Sequence, residues 1–384
     1  MTIFPRKIKP QIIDRLFQGK VIIVYGARQV GKTTLAKQIL GEQKELGKKG
    51  AYLNCELDSV RSALAIKEAE RLRAFLGDND LIVLDEAQNV PEIGKILKII
   101  HDEIPQMQII ATGSSSFDLA DKTAEPLTGR NFSFILYPLS GREIAQTEAL
   151  RSAGLNAKLE QILRFGSYPE VYSIAGEEKK IEYLNAIASD YLYKDILKFE
   201  GVKKASVITD LLKLLALQIG QEVSFQSLSN TLGISRLTVE KYIDILEKSY
   251  VIFRLRPLSR NAYRAVSKKI KIYFWDLGIH NSLIQNYNPL QLREDAGGLW
   301  ENFCIIERIK NNSDSKVYKN SYFWRSYAGQ EVDYVEESGG KFEAFEFKWG
   351  LTKQTKTPKD FFKVYRANVQ KIGRENYFEF IAQD

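Results

Sequence analysis

Cysteine and histidine are scarce in this chain of 384 residues, which contains two of each. Cys55 and Cys304 are far apart in sequence and lie among apolar residues, which favours two small buried side chains over a disulfide framework. With only His101 and His280 beside them, a zinc site built from His and Cys ligands is disfavoured. Any metal ion is therefore expected to be a hard cation held by oxygen ligands.

Long apolar runs are also missing. No stretch approaches the roughly 20 apolar residues of a membrane-spanning helix, and the N-terminal MTIFPRKIKPQ lacks the apolar core of a signal peptide. We therefore expect a cytoplasmic protein without a membrane partner. Apolar residues still make up 44% of the chain and aromatic residues 11%, which is enough for several packed domains.

The apolar run VIIVY (21–25) leads into a loop with the pattern G-x-x-x-x-G-K-T. This pattern is typical of a phosphate-binding loop, because glycine lets backbone N–H groups approach the phosphates closely. Lys32 is expected to reach the β- and γ-phosphates of ATP, and Thr33 to supply a hydroxyl group to Mg²⁺. A helix from about Lys32 to Leu40 would direct its positive end at the anion. The predicted nucleotide-binding residues are Gly26, Ala27, Arg28, Gln29, Val30, Gly31, Lys32, Thr33 and Thr34.

Up to about residue 145, short apolar runs alternate with helical segments, which predicts a parallel sheet with crossover helices. The further runs are AYLNCEL (51–57), DLIVLDE (80–86), QIIATGS (108–114) and FSFILYP (132–138). In the second of these runs, Asp85 is expected at the carboxyl end of the buried strand, where its carboxylate can orient the ligands of Mg²⁺. Glu86 follows directly and is the candidate for polarising the attacking water.

This order, with Glu86 directly after Asp85, resembles the AAA+ and related ATPases. The resemblance implies that the strand after LIVLDE ends in a polar residue near the γ-phosphate, for which Thr112 and Ser114 are the candidates in place of the usual asparagine. It also implies an arginine before the fifth strand that neutralises charge in the transition state, here Arg130. A salt-bridged loop arginine is the alternative, and action in cis or in trans stays open, as does the oligomeric state.

Two segments follow this core. Residues 146–204 are predicted to form a helical lid, which is interrupted at FGSYPEVY (165–172). Residues 205–271 are predicted to form a winged helix, with one helix from Phe225 to Leu232 and a second that Ser235 caps.

The second of these helices would enter the major groove of DNA if the winged helix binds DNA. Its predicted buried residues are Leu237, Val239, Ile243 and Leu246, and its predicted outward residues are Arg236, Thr238 and Lys241. The following segment 254–271 has seven basic residues and no acidic one, so it could track a phosphate backbone or be a solvated loop. Contact with DNA and a role as a linker or protein contact are equally favoured.

The last segment, 272–384, combines a helix, LWENFCIIERI (299–309), with two predicted strands, YFWRSYAGQEVDYVEE (322–337) and KFEAFEFKWG (341–350). Period 2 places Glu346 and Lys348 on one face of the second strand, and Asp333 lies on the first. Together with Glu301, this set resembles the PD-(D/E)XK fold of restriction endonucleases. The resemblance implies that carboxylates hold Mg²⁺ near a scissile phosphate and that the lysine orients or activates water.

From the phosphate-binding loop to EFK (346–348), the chain resembles a bacterial and archaeal group of ATPases whose C-terminal domain has a restriction-endonuclease-like core. The predicted fold is thus α/β, with an AAA+-like domain (1–145), a helical lid (146–204), a winged helix (205–271) and a nuclease-like domain (272–384). The predicted function is ATP hydrolysis coupled to DNA. The alternatives are a nucleotide-dependent switch whose C-terminal domain is an inactive nuclease that binds a protein partner, and a DNA-binding module with weak ATPase activity.

Overall fold

The structure is a computed structural model that describes residues 4–113, 127–147, 152–194, 205–259, 270–350 and 356–382. Within these ranges the chain forms two compact units. The N-terminal unit contains Pro5–Leu139 together with Lys248–Tyr250, and the C-terminal unit contains the remaining described residues. None of the helices in the described ranges is long and apolar enough to cross a membrane.

The N-terminal unit is built on a five-stranded parallel sheet with the strand order β2-β3-β4-β1-β5. The three inner strands are buried along their whole length, as expected for near-continuous apolar runs covered on both faces, while the two edge strands are half-buried. The strands are β1 (Val21–Tyr25), β2 (Gly50–Asn54), β3 (Leu81–Asp85), β4 (Gln108–Gly113) and β5 (Asn131–Ile135).

All five predicted strands are confirmed, with ends that differ by up to three residues. Because β4 lies between β1 and β3, the carboxyl ends of β1, β3 and β4 meet at one edge of the sheet. The helices of this unit are α1 (Ile8–Ile13), α2 (Lys32–Glu45), α3 (Asp58–Leu64), α4 (Ala69–Leu76) and α5 (Ile93–Glu103). The helix predicted after the phosphate-binding loop therefore continues beyond Leu40.

The C-terminal unit begins with helices, as predicted for the segment after the sheet. The predicted break at 165–172 is confirmed: one helix ends at Phe165, and a short 3₁₀ helix follows at Pro169–Tyr172. The helices are α6 (Gly141–Thr147), α7 (Ser152–Phe165), α8 (Glu177–Lys194), α9 (Ala205–Ala216), α10 (Phe225–Leu232), α11 (Arg236–Lys248), α12 (Leu277–Ile284), α13 (Ala296–Asp314), α14 (Lys359–Tyr365) and α15 (Tyr377–Ala382).

Helices α10 and α11 flank a tight turn, as predicted. Gly233 adopts φ +64° after α10, and Ser235 Oγ accepts a hydrogen bond from Thr238 N at the start of α11. The predicted burial of Leu237 is wrong, since its side chain is 77% exposed. Leu237 lies two positions before the buried Val239, and two helical positions are about 200° apart around the axis, so the two side chains point in nearly opposite directions.

A seven-stranded sheet forms the rest of the C-terminal unit, in the order β12-β11-β10-β9-β7-β8-β6. Its strands are β6 (Glu222–Val223), β7 (Ile252–Pro257), β8 (Ile270–Phe274), β9 (Asn320–Arg325), β10 (Glu331–Ser338), β11 (Lys341–Phe347) and β12 (Val369–Ile372). The single strand predicted at 322–337 is wrong: a turn in which Ser326 N donates to Gln330 O divides it into two antiparallel strands. The predicted domain boundary at 271/272 falls inside β8.

Candidate functional site

The phosphate-binding loop connects β1 to α2 at the carboxyl edge of the parallel sheet. Gly26 adopts φ +152°, and a Cβ atom there would lie 2.2 Å from the carbonyl oxygen of Leu136. Gly31 adopts φ +99° and is the N-cap of α2, which has no side-chain capping hydrogen bond. Both glycines are therefore required by the backbone. The first-turn N–H groups of α2 have no side-chain cap, and such groups favour an anion.

The Lys32 side chain is buried against this loop. Its Nζ donates hydrogen bonds to Gly26 O at 3.0 Å and Ala27 O at 2.7 Å, and the residue is 4% exposed. A buried ammonium group needs such partners, and phosphate oxygens would replace the carbonyl oxygens as stronger acceptors. The position of Lys32 thus fits a phosphate ligand beside the loop.

Asp85, at the end of β3, accepts hydrogen bonds from three hydroxyl groups. Thr33 Oγ1 and Tyr52 Oη donate to its Oδ2 at 2.8 and 2.6 Å, and Thr112 Oγ1 donates to its Oδ1 at 2.5 Å. A carboxylate next to a threonine hydroxyl fits Mg²⁺, which binds few protein ligands and completes its shell with phosphate oxygens and water. Thr33 and Asp85 would hold the ion.

Tyr52 was missed by the sequence reasoning. In β2 it pairs with Val83 of β3, and the side chain of Asp85 points to the same face two residues further on. Burial raises the pKa of Tyr52, and its hydrogen bond to Asp85 adds to the rise. The only signal in the sequence is an aromatic hydroxyl on the run AYLNCEL, and its use depends on β2 lying beside β3.

Glu86 adopts a left-handed backbone conformation, with φ +52°. Its N–H donates to Thr112 Oγ1 at 3.1 Å, so Thr112 contacts both acidic positions of the motif. The side-chain Oε2 accepts a hydrogen bond from Gln88 Nε2 at 2.5 Å. The other predicted polar residue, Ser114, lies outside the described residues.

Arg130 lies at the opposite edge of the sheet. It directly precedes β5, whose first residue pairs with the first residue of β1, whereas the phosphate-binding loop follows the end of β1. A strand of five residues separates the two edges by roughly 15 Å at about 3.3 Å per residue. Arg130 Nε instead donates to Asp102 Oδ1 at 2.9 Å, and this hydrogen bond lowers the pKa of Asp102. The structure does not bring Arg130 and the loop together within the chain.

The two cysteines are free and buried, as expected from their apolar contexts. Burial raises the pKa of the Cys55 thiol to about 12 and raises that of Cys304 as well. Both thiols are therefore protonated at neutral pH, which makes them poor nucleophiles and poor metal ligands.

In the C-terminal unit, the residues predicted from the nuclease resemblance lie near one another. Glu301, Asp333, Glu346 and Lys348 are called the carboxylate centre below. Asp333 Oδ2 accepts the N–H of Phe347 at 2.9 Å, and Lys348 Nζ donates to Glu346 Oε1 at 2.5 Å. A bulge between Val332 and Val335 of β10 contains Asp333. Burial raises the pKa of Asp333 to about 7, and the charge of Glu301 adds to the rise.

Lys271 of β8 reaches the same centre, which the sequence reasoning missed. Its side chain is 2% exposed, and Nζ contacts Glu301 Oε1 at 2.9 Å and Glu331 Oε1 at 2.6 Å. Burial alone would lower the pKa of Lys271, but the charges of Glu301, Asp333 and Glu331 outweigh it and raise the pKa. Within the described ranges, no three His, Cys, Asp or Glu side chains form a group that could hold a metal ion.

Two basic residues of the run 254–271 have acidic partners in the structure. Lys271 is buried, and Arg254 forms ion pairs with Asp244, at 2.7 Å, and with Glu247. Both cations are neutralised inside the fold. The predicted phosphate contacts at Lys268 and Lys269 lie outside the described residues.

Three family models match consecutive parts of the chain. Residues 18–145 match the model described as an AAA domain. Residues 156–290 and 296–378 match two domains of unknown function, DUF8612 and DUF4143. Together with the phosphate-binding loop and the strand order, the first match supports a nucleotide-binding ATPase domain of the AAA type in the N-terminal unit.

Uncharacterized proteins from distant microbes are similar to most of the chain. One from Mycobacterium tuberculosis is 26% identical over 361 residues, which cover 93% of this chain and 76% of that protein. One from Methanocaldococcus jannaschii is 25% identical over 348 residues, which cover 85% of this chain and 75% of that protein. The similarity thus extends across the N-terminal and C-terminal units.

Solved structures with detectable similarity include a replication initiator and Cdc6p. The replication initiator DnaA bound to AMPPCP and single-stranded DNA is 15% identical, with a TM-score of 0.31, over 63% of this chain and 86% of that chain. Cdc6p from Pyrobaculum aerophilum is 13% identical, with a TM-score of 0.29, over 73% of this chain and 92% of that chain. Such low values give these structures no weight in assigning a function.

Proposed function

We propose that the N-terminal unit binds ATP with Mg²⁺ and hydrolyses it to ADP and phosphate. The supporting observation is that Lys32, Thr33 and Asp85 converge at the carboxyl edge of the sheet, with Thr33 Oγ1 at 2.8 Å from Asp85 Oδ2. Mg²⁺ bound there would neutralise charge on the phosphates. Lys32 would exchange its loop carbonyl partners for phosphate oxygens, and the N-terminal end of α2 would add a positive field.

Glu86 is proposed to position and polarise the attacking water. Its carboxylate follows Asp85 directly, at the edge of the sheet where the γ-phosphate would lie. Gln88 Nε2 donates to Oε2 of that carboxylate at 2.5 Å and so orients it. A carboxylate has about four acceptor positions, so Glu86 can still accept a proton from water. Through its two hydrogen bonds, Thr112 would hold the side chain of Asp85 and the backbone of Glu86 in fixed positions.

The test compares Glu86→Gln with Glu103→Gln, an exposed glutamate of α5 that serves as the control. We expect Glu86→Gln to bind ATP with an affinity near that of wild type and to lower steady-state hydrolysis by a factor of about 100 or more, as for loss of a positioned base. The control should match wild type. Equal turnover in Glu86→Gln and wild type would reject the assigned role.

We further propose that the C-terminal unit couples this ATPase to DNA through a winged helix formed by α9 to α11 with β6 to β8. At the start of α11, Arg236, Leu237 and Lys241 are exposed, as a helix that enters a groove requires.

The test is binding of a fluorescent duplex at several salt concentrations. Arg236→Ala with Lys241→Ala should weaken binding and reduce the salt dependence, because two phosphate contacts are lost. A matched pair of exposed basic residues in the N-terminal unit, Lys44→Ala with Arg71→Ala, is the control. DNA binding that changes neither with salt concentration nor with the two α11 substitutions would favour the nucleotide-dependent switch with a protein partner.

The resemblance to nucleases gives two hypotheses for the C-terminal unit, metal-dependent cleavage of DNA or a non-cleaving interaction. A nuclease would require Mg²⁺-dependent cleavage that disappears in both Glu346→Ala and Asp333→Ala. A non-cleaving module predicts intact DNA under the same conditions, with ATP hydrolysis preserved.

A further inference from the structure

Side-chain ammonium groups of the protein contact two of the carboxylates of the carboxylate centre. Lys271 Nζ lies 2.9 Å from Glu301 Oε1 and 2.6 Å from Glu331 Oε1. Tyr273 Oη donates to the same Glu301 oxygen at 2.6 Å. At the other end of the centre, Lys348 Nζ lies 2.5 Å from Glu346 Oε1. Two ammonium groups therefore contact Glu301 and Glu346, two of the three carboxylates that a nuclease would offer to a divalent cation.

Lys271 is held in place by its position in the fold. It lies on β8, all five residues of which are buried, and β8 pairs with β7 on one side and β6 on the other. The side chain is 2% exposed, so the ammonium group has no direct path to solvent. Withdrawing it would leave Glu301 and Glu331 partly buried with less compensating charge, which is unfavourable.

This arrangement does not fit Mg²⁺. The ion requires about six oxygen ligands at roughly 2.0–2.1 Å, whereas an ammonium group donates hydrogen bonds and cannot be a ligand. In agreement, the described residues contain no group of three acidic or other ligating side chains arranged for a metal ion.

We infer that the ammonium group of Lys271 is the resident cation of the carboxylate centre and takes the place that a divalent metal ion would need. The centre then links β8, α13 and β10 through Lys271, Glu301 and Glu331 and does not act as a metal-dependent nuclease. The inference concerns the C-terminal unit alone and is independent of ATP hydrolysis.

The test measures Mn²⁺ binding to the full chain without nucleotide, by electron paramagnetic resonance of free Mn²⁺. Wild type and Asp333→Asn should bind the same amount of Mn²⁺ at up to millimolar concentration, because the wild-type centre is closed to the ion. Stronger binding by wild type than by Asp333→Asn would overturn the inference. This comparison needs no change at Lys271, so it remains decisive even if a Lys271 variant fails to fold.

Substitutions of Lys271 make the test sharper. Lys271→Met keeps the length of the side chain and removes its charge, and it should gain Mn²⁺ binding by at least tenfold over wild type. Lys271→Met combined with Asp333→Asn should lose that gain, and Lys271→Arg, which keeps the charge, should show none. A folded Lys271→Met protein, checked by circular dichroism, that binds no more Mn²⁺ than wild type would contradict the role assigned to Lys271.

Discussion

The hydroxyl of Tyr52 fixes one oxygen of Asp85, the residue proposed to hold Mg²⁺. Partners that orient a metal ligand typically contribute tenfold or more to metal affinity. Tyr52→Phe should therefore weaken Mg²⁺-dependent binding of an ATP analogue by about tenfold and leave binding in EDTA unchanged. Titration of a fluorescent analogue with and without Mg²⁺ measures both, and Tyr318→Phe, at an 87% exposed position, is the control. An unchanged Mg²⁺ requirement would show that Thr33 and Thr112 orient Asp85 without Tyr52.

Glu336 forms a buried charge network with Arg308 and Lys319, at 2.9 and 2.8 Å. Burial would raise the pKa of Glu336, but the hydrogen bonds and charges of the two cations outweigh burial and lower it. Glu336→Gln leaves the cations without their carboxylate, so the free energy of unfolding should fall by about 3 kcal/mol at pH 7.

The pH dependence of that loss provides a second check. Because the pKa of Glu336 is lower in the folded state, its stabilising contribution is complete above the unfolded value of about 4.3 and is lost as the pH falls through the folded value. The difference between wild type and Glu336→Gln should therefore narrow below pH ~4 in urea unfolding. The exposed Glu379→Gln is the control. A difference that stays constant with pH would mean that packing, not charge, explains the loss.

At the scale of elements, local patterns predicted the parallel sheet well. Its inner strands are mostly apolar and buried throughout, because both faces of the sheet are covered. The phosphate-binding loop and the LIVLDE motif mark where two of these strands end. The residues that sequence reasoning missed depend on which strands are neighbours. Tyr52 acts through the pairing of β2 with β3, and Lys271 through the contact of β8 with α13. The periodicity of apolar residues along the chain does not show which strands and helices are neighbours.

The same limit explains two errors in the C-terminal unit. The run 322–337 has the composition of one strand, but the turn at Ser326–Gln330, with Gly329 at φ +82°, reverses the chain. Leu237 is apolar and close to the buried positions of α11, yet helical geometry turns it to the exposed side. In both cases the composition indicated a strand or a helix correctly, but it did not show where the strand ends or which face of the helix is buried.

The phosphate-binding loop depends on one close approach between two backbones. At Gly26, any Cβ would lie 2.2 Å from Leu136 O, a backbone atom that cannot move aside easily. Gly26→Ala should therefore abolish nucleotide binding and lower the melting temperature. Gly41→Ala, in the interior of α2 with nothing within 4 Å of the added Cβ, should leave binding intact and raise stability by about 0.5–1 kcal/mol. Nucleotide titration and thermal unfolding of both variants measure these effects. Intact nucleotide binding by Gly26→Ala would exclude the steric clash with Leu136 O.

At the scale of the whole molecule, the C-terminal unit does not follow the boundaries drawn from sequence. Strands β6 and β7 come from the segment predicted as a winged helix, β8 spans the predicted boundary, and β9 to β12 come from the segment predicted as nuclease-like. The parallel pairing of β7 with β9, Arg256 opposite Tyr322, joins them into one sheet. Partners this far apart in sequence are specified by tertiary packing, which is why segment composition could not predict a shared sheet.

Arg130 raises the question of whether one chain contains a complete catalytic site. Arg130 lies at the edge of the sheet opposite the phosphate-binding loop and donates a hydrogen bond to Asp102. In this conformation it therefore cannot contact the loop of its own chain. We therefore predict that Arg130 does not act in cis.

Two variants test this prediction when they are mixed. Arg130→Ala has an intact loop, and Lys32→Ala has an intact arginine but should not bind ATP. If Arg130 serves a neighbouring molecule, Arg130→Ala alone should hydrolyse ATP slowly and recover in proportion to added Lys32→Ala. If Arg130 only pairs with Asp102, Arg130→Ala should hydrolyse ATP at the wild-type rate. Either of these two results agrees with the position of Arg130 at the far edge of the sheet. Hydrolysis that is lost in Arg130→Ala and does not recover on mixing would contradict it, since the arginine would then have to reach its own loop after a rearrangement of the sheet edge.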